Sequence, residues 1–217
     1  MSDRAEQLAA RRVQYETAGL DIVDVSTDPV EQWHRWHDEA VAAAVTEPNA
    51  MVVATVDRDG RPDARNVLAR GFDTTGVVFF TNLASVKSEQ LRRTPHASAV
   101  FSWLDLHRQV RIRGPVVPAT DAESDDYFVR RPRGSQIGAW ASPQSEPIAD
   151  RAALDARIAD VESRFDGEDV PRPPFWGGWR IGLVEVEFWQ GRPNRLHDRV
   201  NYRLDPGGAW IIERLAP

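Results

Sequence analysis

The sequence contains no cysteine among its 217 residues. This absence excludes a disulfide framework, a thiolate metal site and a cysteine nucleophile, and it fits a reducing compartment. The sequence also lacks a long apolar run, and its first residues, 1–6, are polar, so neither a secretory signal nor a transmembrane helix is expected. A cytoplasmic protein without a membrane partner is therefore predicted.

Histidine is scarce, with five residues in the chain. His34 and His37 lie three residues apart on a predicted helix, a spacing that is compatible with a metal ion. No third ligand lies nearby in the sequence, so a solvated pair is the favoured interpretation and no metal is predicted.

Positive charge is in deficit, because 27 Lys and Arg face 33 Asp and Glu and leave a net charge of -6. A protein of this sign does not bind nucleic acid through its overall field, so no nucleic-acid partner is expected. Any anion must be held by a local cluster of cations. At this length, a single domain can bury roughly 70% of the surface that the unfolded chain exposes.

The spacing of apolar and turn residues predicts a mainly β protein with flanking helices (α+β), arranged as a small antiparallel barrel. Residues 1–24 are predicted to form a mobile N-terminal arm, and residues 25–217 a single domain. Asp28 and Pro29 start a helix that runs to about Glu47. Further strands are predicted over 51–56, 66–68, 77–81, 97–103, 109–117, 180–189 and 210–214, and further helices over 85–93, 121–131, 135–140 and 149–165.

Residues 187–199, EFWQGRPNRLHDR, combine an aromatic pair, a turn and three side chains that carry or can carry positive charge. In an extended strand, alternation would place Arg195, His197 and Arg199 on one face. A half-solvated edge strand has the same pattern, and spacing alone favours it over an anion site. The other cations of the chain decide between the two interpretations.

Two further groups of residues are typical of phosphate sites. Ser85 and Lys87 stand at the start of a predicted helix, where free N–H groups favour an anion, and Arg65 and Arg70 flank a nearby strand. Tyr127, Arg131 and Ser135 form a second group of a phenol, a guanidinium and a hydroxyl. A phosphate monoester carries about -1.5 to -2 charges near neutral pH, so two phosphorylated ligands would neutralise most of these cations.

Seven motifs spread over the chain carry a close resemblance to the pyridoxine/pyridoxamine 5'-phosphate oxidase family, from about Arg12 to Pro217. They are RNVLAR (65–70), FFTNLASVK (79–87), RQVRIRG (108–114), YFVRRPRGSQIGAWAS (127–142), FWGGWRI (175–181), EFWQGRPNRLHDR (187–199) and ERLAP (213–217). The resemblance implies an FMN-binding split β-barrel of vitamin B6 metabolism. It also implies a homodimer with FMN at the subunit interface, in which the second subunit supplies Gln144 and Ser145.

The resemblance also implies a role for individual residues. The FMN would be bound by Arg65, Asn66, Val67, Leu68, Arg70, Phe80, Thr81, Ser85, Val86, Lys87, Gln109, Gln144, Ser145, Trp189 and Arg199. The substrate would be bound by Arg12, Tyr15, Arg70, Tyr127, Arg131, Ser135, Arg195, Leu196 and His197. Arg12 and Tyr15 belong to the N-terminal arm, which would close over the substrate as a lid.

The implied reaction oxidises pyridoxamine 5'-phosphate and pyridoxine 5'-phosphate to pyridoxal 5'-phosphate. A hydride passes from C4' of the substrate to N5 of the flavin, and water hydrolyses the imine that the amine yields. O2 reoxidises the flavin and H2O2 leaves. Arg195 and His197, the implied catalytic residues, would act first as orienting and electrostatic groups. The residues alone leave open whether either of them accepts the substrate proton.

The sequence departs from the family pattern at several positions. Arg70 stands where Lys is common, Val86 where a second arginine for the FMN phosphate is common, and Asn66 and Ala69 where aliphatic residues are usual. Weaker FMN retention is therefore expected from Val86. The same fold includes three other classes of protein, which remain alternatives. They are flavin oxidases of phenazine biosynthesis, deazaflavin-dependent reductases, and proteins that bind flavin or haem without turnover.

Overall fold

The computed structural model describes Tyr15 and residues 17–217. Arg12 and most of the predicted N-terminal arm lie outside the described residues. Within the described part of the chain, the helices are α1 Pro29–Ala42, α2 Val86–Arg93, α3 Asp121–Val129, α4 Arg133–Ala141 and α5 Arg151–Arg164. The strands there are β1 Ala50–Val56, β2 Pro62–Leu68, β3 Gly71–Asp73, β4 Gly76–Asn82, β5 His96–Trp103, β6 Arg108–Pro118, β7 Trp176–Ile181, β8 Glu185–Gln190, β9 Asp198–Leu204 and β10 Trp210–Arg214.

The contacts of the chain divide it into two compact units. Of the described residues, the first unit comprises Tyr15 and residues 17–48, 100–111 and 185–217, and the second comprises residues 49–99 and 112–184. Strands β5 and β6 contribute residues to both units. Among the described residues, no helix has both the length and the apolarity that a membrane crossing requires.

The second unit contains two sets of antiparallel strands. Strand β1 pairs with β2 over its full length, from Ala50 opposite Leu68 to Val56 opposite Pro62. Strand β4 pairs with β3 and β7, and its buried side chains explain why its sequence is a continuous apolar run. The loop that leaves β4 leads directly into α2, so that the N-terminus of α2 follows Ser85.

Three helices of the second unit pack around a small aromatic core. Its buried members are Phe128, Ile137, Phe165, Val170 and Trp176. A capping box starts α3, because Thr120 Oγ1 accepts from the N–H of Glu123 and the Glu123 carboxylate accepts from the N–H of Thr120. The cap fixes the start of α3, and the packing of Phe128 in the core fixes its last turn, where Tyr127 lies.

The first unit is built on the antiparallel strands β8, β9 and β10 and on α1. Trp36 of α1 packs edge-on against Phe188 of β8, with ring centroids 5.2 Å apart, and Trp33 packs against Phe101 at 5.3 Å. The hydroxyl of Tyr202 donates to the carbonyl oxygen of Ser26 at 2.6 Å. These contacts bury the apolar face that the helical spacing predicted for α1.

Three predicted elements differ from the structure. Helix α1 ends at Ala42 rather than near Glu47, because Ala44 takes a left-handed φ of 55°. The strand predicted over 180–189 is two strands with a break after Ile181. The extended segment predicted through Arg195 is wrong, because Asn194 and Arg195 have φ angles of 58° and 63° in a tight turn and β9 begins only at Asp198.

Candidate functional site

The second unit contains a cavity of about 790 Å³ whose lining residues include no aspartate or glutamate. Four of the lining residues are cations: Arg70, Lys87, Arg130 and Arg131. The remaining lining residues are Asn66, Val67, Leu68, Phe80, Thr81, Asn82, Tyr127, Pro132, Ser135, Gly138, Ala139, Ser142, Gln144 and Trp176. One cavity therefore contains most of the residues of the second unit that were predicted to bind FMN or substrate.

Lys87 is the only lysine of the chain. Its ammonium donates to Gln144 Oε1 at 2.6 Å, to Thr81 Oγ1 at 3.1 Å and to Ser85 Oγ at 3.2 Å, and all three acceptors are neutral. Burial and the nearby charge of Arg65 together lower the pKa of Lys87 to about 8, and the charge of Asp63 partly opposes that shift. A cation that lacks a carboxylate partner at this site is suited to an external anion.

The loop after α4 completes the surroundings of Lys87. Ser145 Oγ accepts from the backbone N–H of Val86, the first residue of α2, at 3.3 Å. Gln144 and Ser145 thus reach this site from the same chain, in contrast to the expectation that a second subunit supplies them. The physical reason is that α4 ends at Ala141 and the following turn places both residues beside β4 and α2.

Arg65 lies close enough to lower the pKa of Lys87, but its guanidinium is already paired. It contacts Asp63 Oδ2 at 2.5 Å and donates to Thr55 Oγ1 at 2.6 Å and to Gln90 Oε1 at 3.2 Å. Its role in binding the cofactor stays a prediction.

Arg131 is a partly buried cation of the cavity. Among the described residues, its buried Nη1 atom has no hydrogen-bond partner, and its guanidinium lies 4.7 Å from the ring centroid of Trp176. Burial lowers the pKa of Arg131, the phenol of Tyr127 opposes that shift, and the charge of Arg70 adds to it. A buried donor without an acceptor is rare in folded proteins, so this nitrogen marks a position for a ligand oxygen.

Aromatic rings flank the same cations. Phe80 and Tyr127 are stacked with ring centroids 4.5 Å apart, and Phe80 and Trp176 are stacked at 5.6 Å. Arg70 lies 5.4 Å from the centroid of Tyr127. The helix predicted over 121–131 ends at Val129, so Arg131 lies just beyond it. The cavity nevertheless brings together Arg70, Tyr127, Arg131 and Ser135.

FMN fits the residues present in this cavity. Its phosphate requires cations and hydrogen-bond donors without a competing carboxylate, and the surroundings of Lys87 and the N-terminus of α2 meet that requirement. The orphaned Arg131 nitrogen provides a second position for an anion. Both features fit the two phosphorylated ligands that the sequence predicted.

The first unit contains a group of aromatic rings around the predicted residue His197. The ring of His197 lies 4.5 Å from Trp189 and 5.9 Å from Tyr15, and Tyr15 lies 4.1 Å from His107. Nδ1 of His197 accepts from the backbone N–H of Arg192 at 3.1 Å. Burial and the adjacent charge of Arg195 lower the pKa of His197, so the neutral ring is favoured and carries its proton on Nε2.

Gly191 provides the surface on which Tyr15 lies. A Cβ atom at position 191 would lie 2.6 Å from Cδ2 of Tyr15 and 2.9 Å from Cβ of His107. The carbonyl of Gly191 also accepts from the hydroxyl of Thr17. Gly191 and His107 are not among the residues predicted for the site, and the available signal was a glycine two residues after the aromatic pair of β8.

The other residues of the first unit that were predicted to bind a ligand differ in their exposure and in their partners. Arg195 and Leu196 are exposed, and Gln109 is half-buried on β6. Arg199 is paired: Nε donates to Glu187 Oε1 at 2.7 Å, Nη2 donates to Glu187 Oε2 at 3.1 Å, and Nη1 donates to the carbonyl of Ala216 at 2.9 Å. Among the described residues, no group of three or more metal-ligating side chains is suited to a metal ion.

Comparisons with known proteins cover nearly the whole chain. A family model described as pyridoxamine 5'-phosphate oxidase matches residues 37–165, and one described as pyridoxine 5'-phosphate oxidase C-terminal dimerisation region matches residues 176–217. The chain is 52% identical over 210 residues to pyridoxine/pyridoxamine 5'-phosphate oxidase 1 of Ralstonia nicotianae, with 97% of this chain and 99% of the relative covered. It is 50% identical over 210 residues to the pyridoxine/pyridoxamine 5'-phosphate oxidase of Rubrobacter xylanophilus, with 97% and 96% covered.

Solved structures confirm the predicted fold, an antiparallel split barrel with flanking helices. PhzG from Burkholderia lata, in complex with tetrahydrophenazine-1-carboxylic acid, superimposes with a TM-score of 0.86 at 33% identity, with 94% of this chain and 100% of that chain covered. A pyridoxamine 5'-phosphate oxidase-related, FMN binding protein from Nostoc punctiforme superimposes with a TM-score of 0.68 at 18% identity, with 85% and 97% covered, and shares the fold.

Proposed function

Because this chain belongs to the pyridoxine/pyridoxamine 5'-phosphate oxidase family, we propose that it is an FMN-dependent oxidase of pyridoxamine 5'-phosphate and pyridoxine 5'-phosphate. The product is pyridoxal 5'-phosphate. The observation that supports this most strongly is the cavity of the second unit, where the sole lysine and Arg131 line a wall without carboxylates. Among the described residues, the buried Nη1 atom of Arg131 has no hydrogen-bond partner. Such a wall favours phosphoesters over neutral or cationic ligands.

FMN supplies the two-electron redox chemistry, which protein side chains lack. The protein supplies binding and orientation. Lys87, with Thr81 and Ser85, would hold the FMN phosphate at the N-terminus of α2. Asn66, Val67 and Leu68 line the same cavity and would contact the rest of the cofactor.

Arg131 and its neighbours would hold the phosphate of the substrate. Arg70, Tyr127 and Ser135 line the cavity beside Arg131, and a phosphate there would satisfy its orphaned Nη1. The fixed phosphate would then orient the reacting carbon of the substrate.

His197 in its described state is a hydrogen-bond donor rather than a base. Its Nδ1 already accepts from Arg192, so Nε2 carries the proton of the neutral ring. We propose that His197 and Arg195 act as electrostatic groups that orient the substrate for hydride transfer. For Nε2 to act as a base, the ring proton would have to move to Nδ1, which would break the hydrogen bond from the N–H of Arg192.

The partners and the location complete the proposal. We propose O2 as the electron acceptor and a cytoplasmic homodimer with FMN at the subunit interface. The match of residues 176–217 to a dimerisation region supports the dimer. We further propose that residues 1–24 act as a lid, which the docking of Tyr15 on Gly191 supports.

A direct experiment tests the activity. The purified protein, loaded with FMN, is expected to form aldehyde and consume O2 with either phosphorylated vitamer, and to release H2O2. Loaded protein that turns over neither vitamer would contradict the proposal.

The second candidate is a phenazine-type flavin oxidase, which the likeness to PhzG favours at 33% identity. The two candidates differ in the ligand that the cavity must accept. Tetrahydrophenazine-1-carboxylic acid has no phosphate, so it would leave the phosphate position at Arg131 unfilled. Turnover of this compound without turnover of the phosphorylated vitamers would favour the second candidate.

Replacing Val86 with arginine is expected to slow the release of FMN about tenfold or more, because one charge-assisted hydrogen bond contributes about 1.5 to 3 kcal/mol. Val86 is exposed at the first position of α2, so the larger side chain has room. Dialysis followed by flavin fluorescence measures the release. Ala84→Arg, an exposed position just before the helix, is the matched control. Equal retention in Val86→Arg and the native protein would remove the claim.

Replacing Gly191 with alanine is expected to displace Tyr15, because the added Cβ would lie 2.6 Å from its ring. If Tyr15 helps to close the site, KM for pyridoxamine 5'-phosphate rises about tenfold while the Kd for FMN stays unchanged. Steady-state kinetics and an FMN titration separate the two effects. Gly134→Ala is the control, since a Cβ at that position meets no atom within 4 Å. An unchanged KM in Gly191→Ala would refute the lid.

A further inference from the structure

Strand β8 carries two buried carboxylates that the proposed reaction does not use. Glu185 and Glu187 are only 9% and 5% exposed, and alternation along the strand places them on the same face. Removing two carboxylates from water is costly, and an apolar pair of similar volume often gives the same or greater stability. Their burial therefore calls for an explanation in addition to stability.

Both carboxylates contact the same arginine. Arg111 Nη2 contacts Glu185 Oε1 at 2.7 Å and Glu187 Oε2 at 2.6 Å. Glu187 also contacts Arg199, through two parallel hydrogen bonds of 2.7 and 3.1 Å. A fork-to-fork pair fixes the plane of a guanidinium as well as its position.

The hydrogen bonds of Arg199 leave it little rotational freedom. Glu187 accepts from Nε and Nη2, and the carbonyl of Ala216 accepts from Nη1 at 2.9 Å. Burial would raise the pKa of Glu187, but hydrogen bonds from Arg199 and Arg111 outweigh burial and hold that pKa below its usual value. Glu187 therefore stays ionised. Each Nη atom of Arg199 carries a second hydrogen that none of these three bonds uses.

We propose that Glu187 is a positioning residue that holds the Arg199 guanidinium in the orientation required to bind FMN. This inference rests on the proposed function and on the contact with FMN that the family resemblance implies for Arg199. Arg111 has the complementary role of holding Glu187 from the other side, and Glu185 balances the charge of Arg111.

Glu187→Gln and Glu185→Gln form a matched pair of variants. Both remove one buried charge from the same strand face and weaken a contact to Arg111, but only Glu187→Gln disturbs Arg199. The Kd for FMN, measured by fluorescence titration of protein stripped of flavin, is expected to rise about tenfold in Glu187→Gln and less than about twofold in Glu185→Gln. Thermal unfolding of both stripped variants reports any common loss of stability.

A double-mutant cycle separates positioning from a general structural role. In an Arg199→Gln background, Glu187→Gln is expected to change the Kd for FMN by less than about twofold, because the group that it positions is absent. The same tenfold loss in both backgrounds would overturn the inference. So would equal losses in the two single variants.

A conservative variant keeps the test decisive if Glu187→Gln does not fold. Arg199→Lys retains a cation beside Glu187 but cannot form the two parallel hydrogen bonds. Its Kd for FMN is expected to rise about tenfold, and a native Kd would overturn the inference. Binding of FMN by the native protein in the same titration tests the proposed function separately.

Discussion

Replacing Arg131 with glutamine is expected to lower kcat/KM for pyridoxamine 5'-phosphate by about two to three orders of magnitude, the equivalent of two lost charge-assisted hydrogen bonds. The guanidinium of Arg131 lies against Trp176 with one buried nitrogen that has no partner. The Nη1 atom is already removed from water in the free protein, so a phosphate oxygen that binds there gains a hydrogen bond with little further desolvation of this atom. Steady-state oxygen consumption measures the loss.

Arg130 provides the control for this experiment. It is adjacent in sequence and lines the same cavity, but its guanidinium already donates to the carboxylate of Asp126. Arg130→Gln is expected to stay within about twofold of the native kcat/KM, since a solvated ion pair contributes little. For unphosphorylated pyridoxamine, Arg131→Gln should have no comparable effect. Equal losses for phosphorylated and unphosphorylated substrate in Arg131→Gln would contradict the assigned phosphate site.

Replacing Lys87 with methionine is expected to raise the Kd for FMN about a hundredfold, because the cofactor phosphate loses an ammonium that is partly removed from water. Lys87 is surrounded by neutral acceptors, so no carboxylate competes with the phosphate. The matched control is Arg92→Gln on the same helix, since Arg92 donates to the carbonyl of Leu83 and is not among the cavity-lining residues. Fluorescence titration of flavin-free protein gives both constants.

The pH dependence of FMN binding provides a second test of Lys87. Burial lowers the pKa of Lys87 to about 8, so the free protein loses the ammonium charge as the pH rises through that value. The affinity for FMN is therefore expected to fall between pH 7 and 9 in the native protein, while the flavin phosphate stays dianionic because its second pKa is about 6. Lys87→Met should show no such fall. Parallel pH profiles for the two proteins would refute the assignment.

The lowered pKa of Lys87 also makes the stability of the flavin-free protein depend on pH. Whereas the affinity for FMN falls as the pH rises, the free energy of unfolding increases. The folded pKa of Lys87 is depressed below the value of an exposed lysine, so the unfolded chain binds more protons between the two values. The cost of charging the buried amine is fully present below pH 8. The contribution of Lys87 to the free energy of unfolding therefore becomes more favourable as the pH rises above 8.

The parts of the site that local sequence rules describe were predicted well. Ser85 and Lys87 were placed at a helix start because a turn, a hydroxyl and a helical pattern lie together in the sequence, and α2 begins there. The apolar run of β4 and the apolar spacing of α1 likewise identified a buried strand and an amphipathic helix. These signals depend on residues that are near neighbours in the chain.

The parts that depend on tertiary contacts could not be predicted. The sequence does not show which arginines have a carboxylate partner. In the structure Arg199 and Arg65 are paired with carboxylates, whereas one buried nitrogen of Arg131 has no hydrogen-bond partner among the described residues. Arg195 was predicted to share one strand face with His197 and Arg199. It does not, because Asn194 and Arg195 take left-handed φ angles and the strand begins only at Asp198. Glu187, separated from Arg199 by twelve residues, becomes its partner only through the pairing of β8 with β9.

The central claim is that the cations of the carboxylate-free cavity recognise the phosphate of the substrate. The most direct measurement is the ratio of kcat/KM for pyridoxamine 5'-phosphate to that for pyridoxamine, with the FMN-loaded native protein. We expect a ratio of about a thousand or more, because the unphosphorylated amine leaves buried charged groups unpaired. A ratio near one would show that the cavity does not select the phosphate, and it would contradict this account.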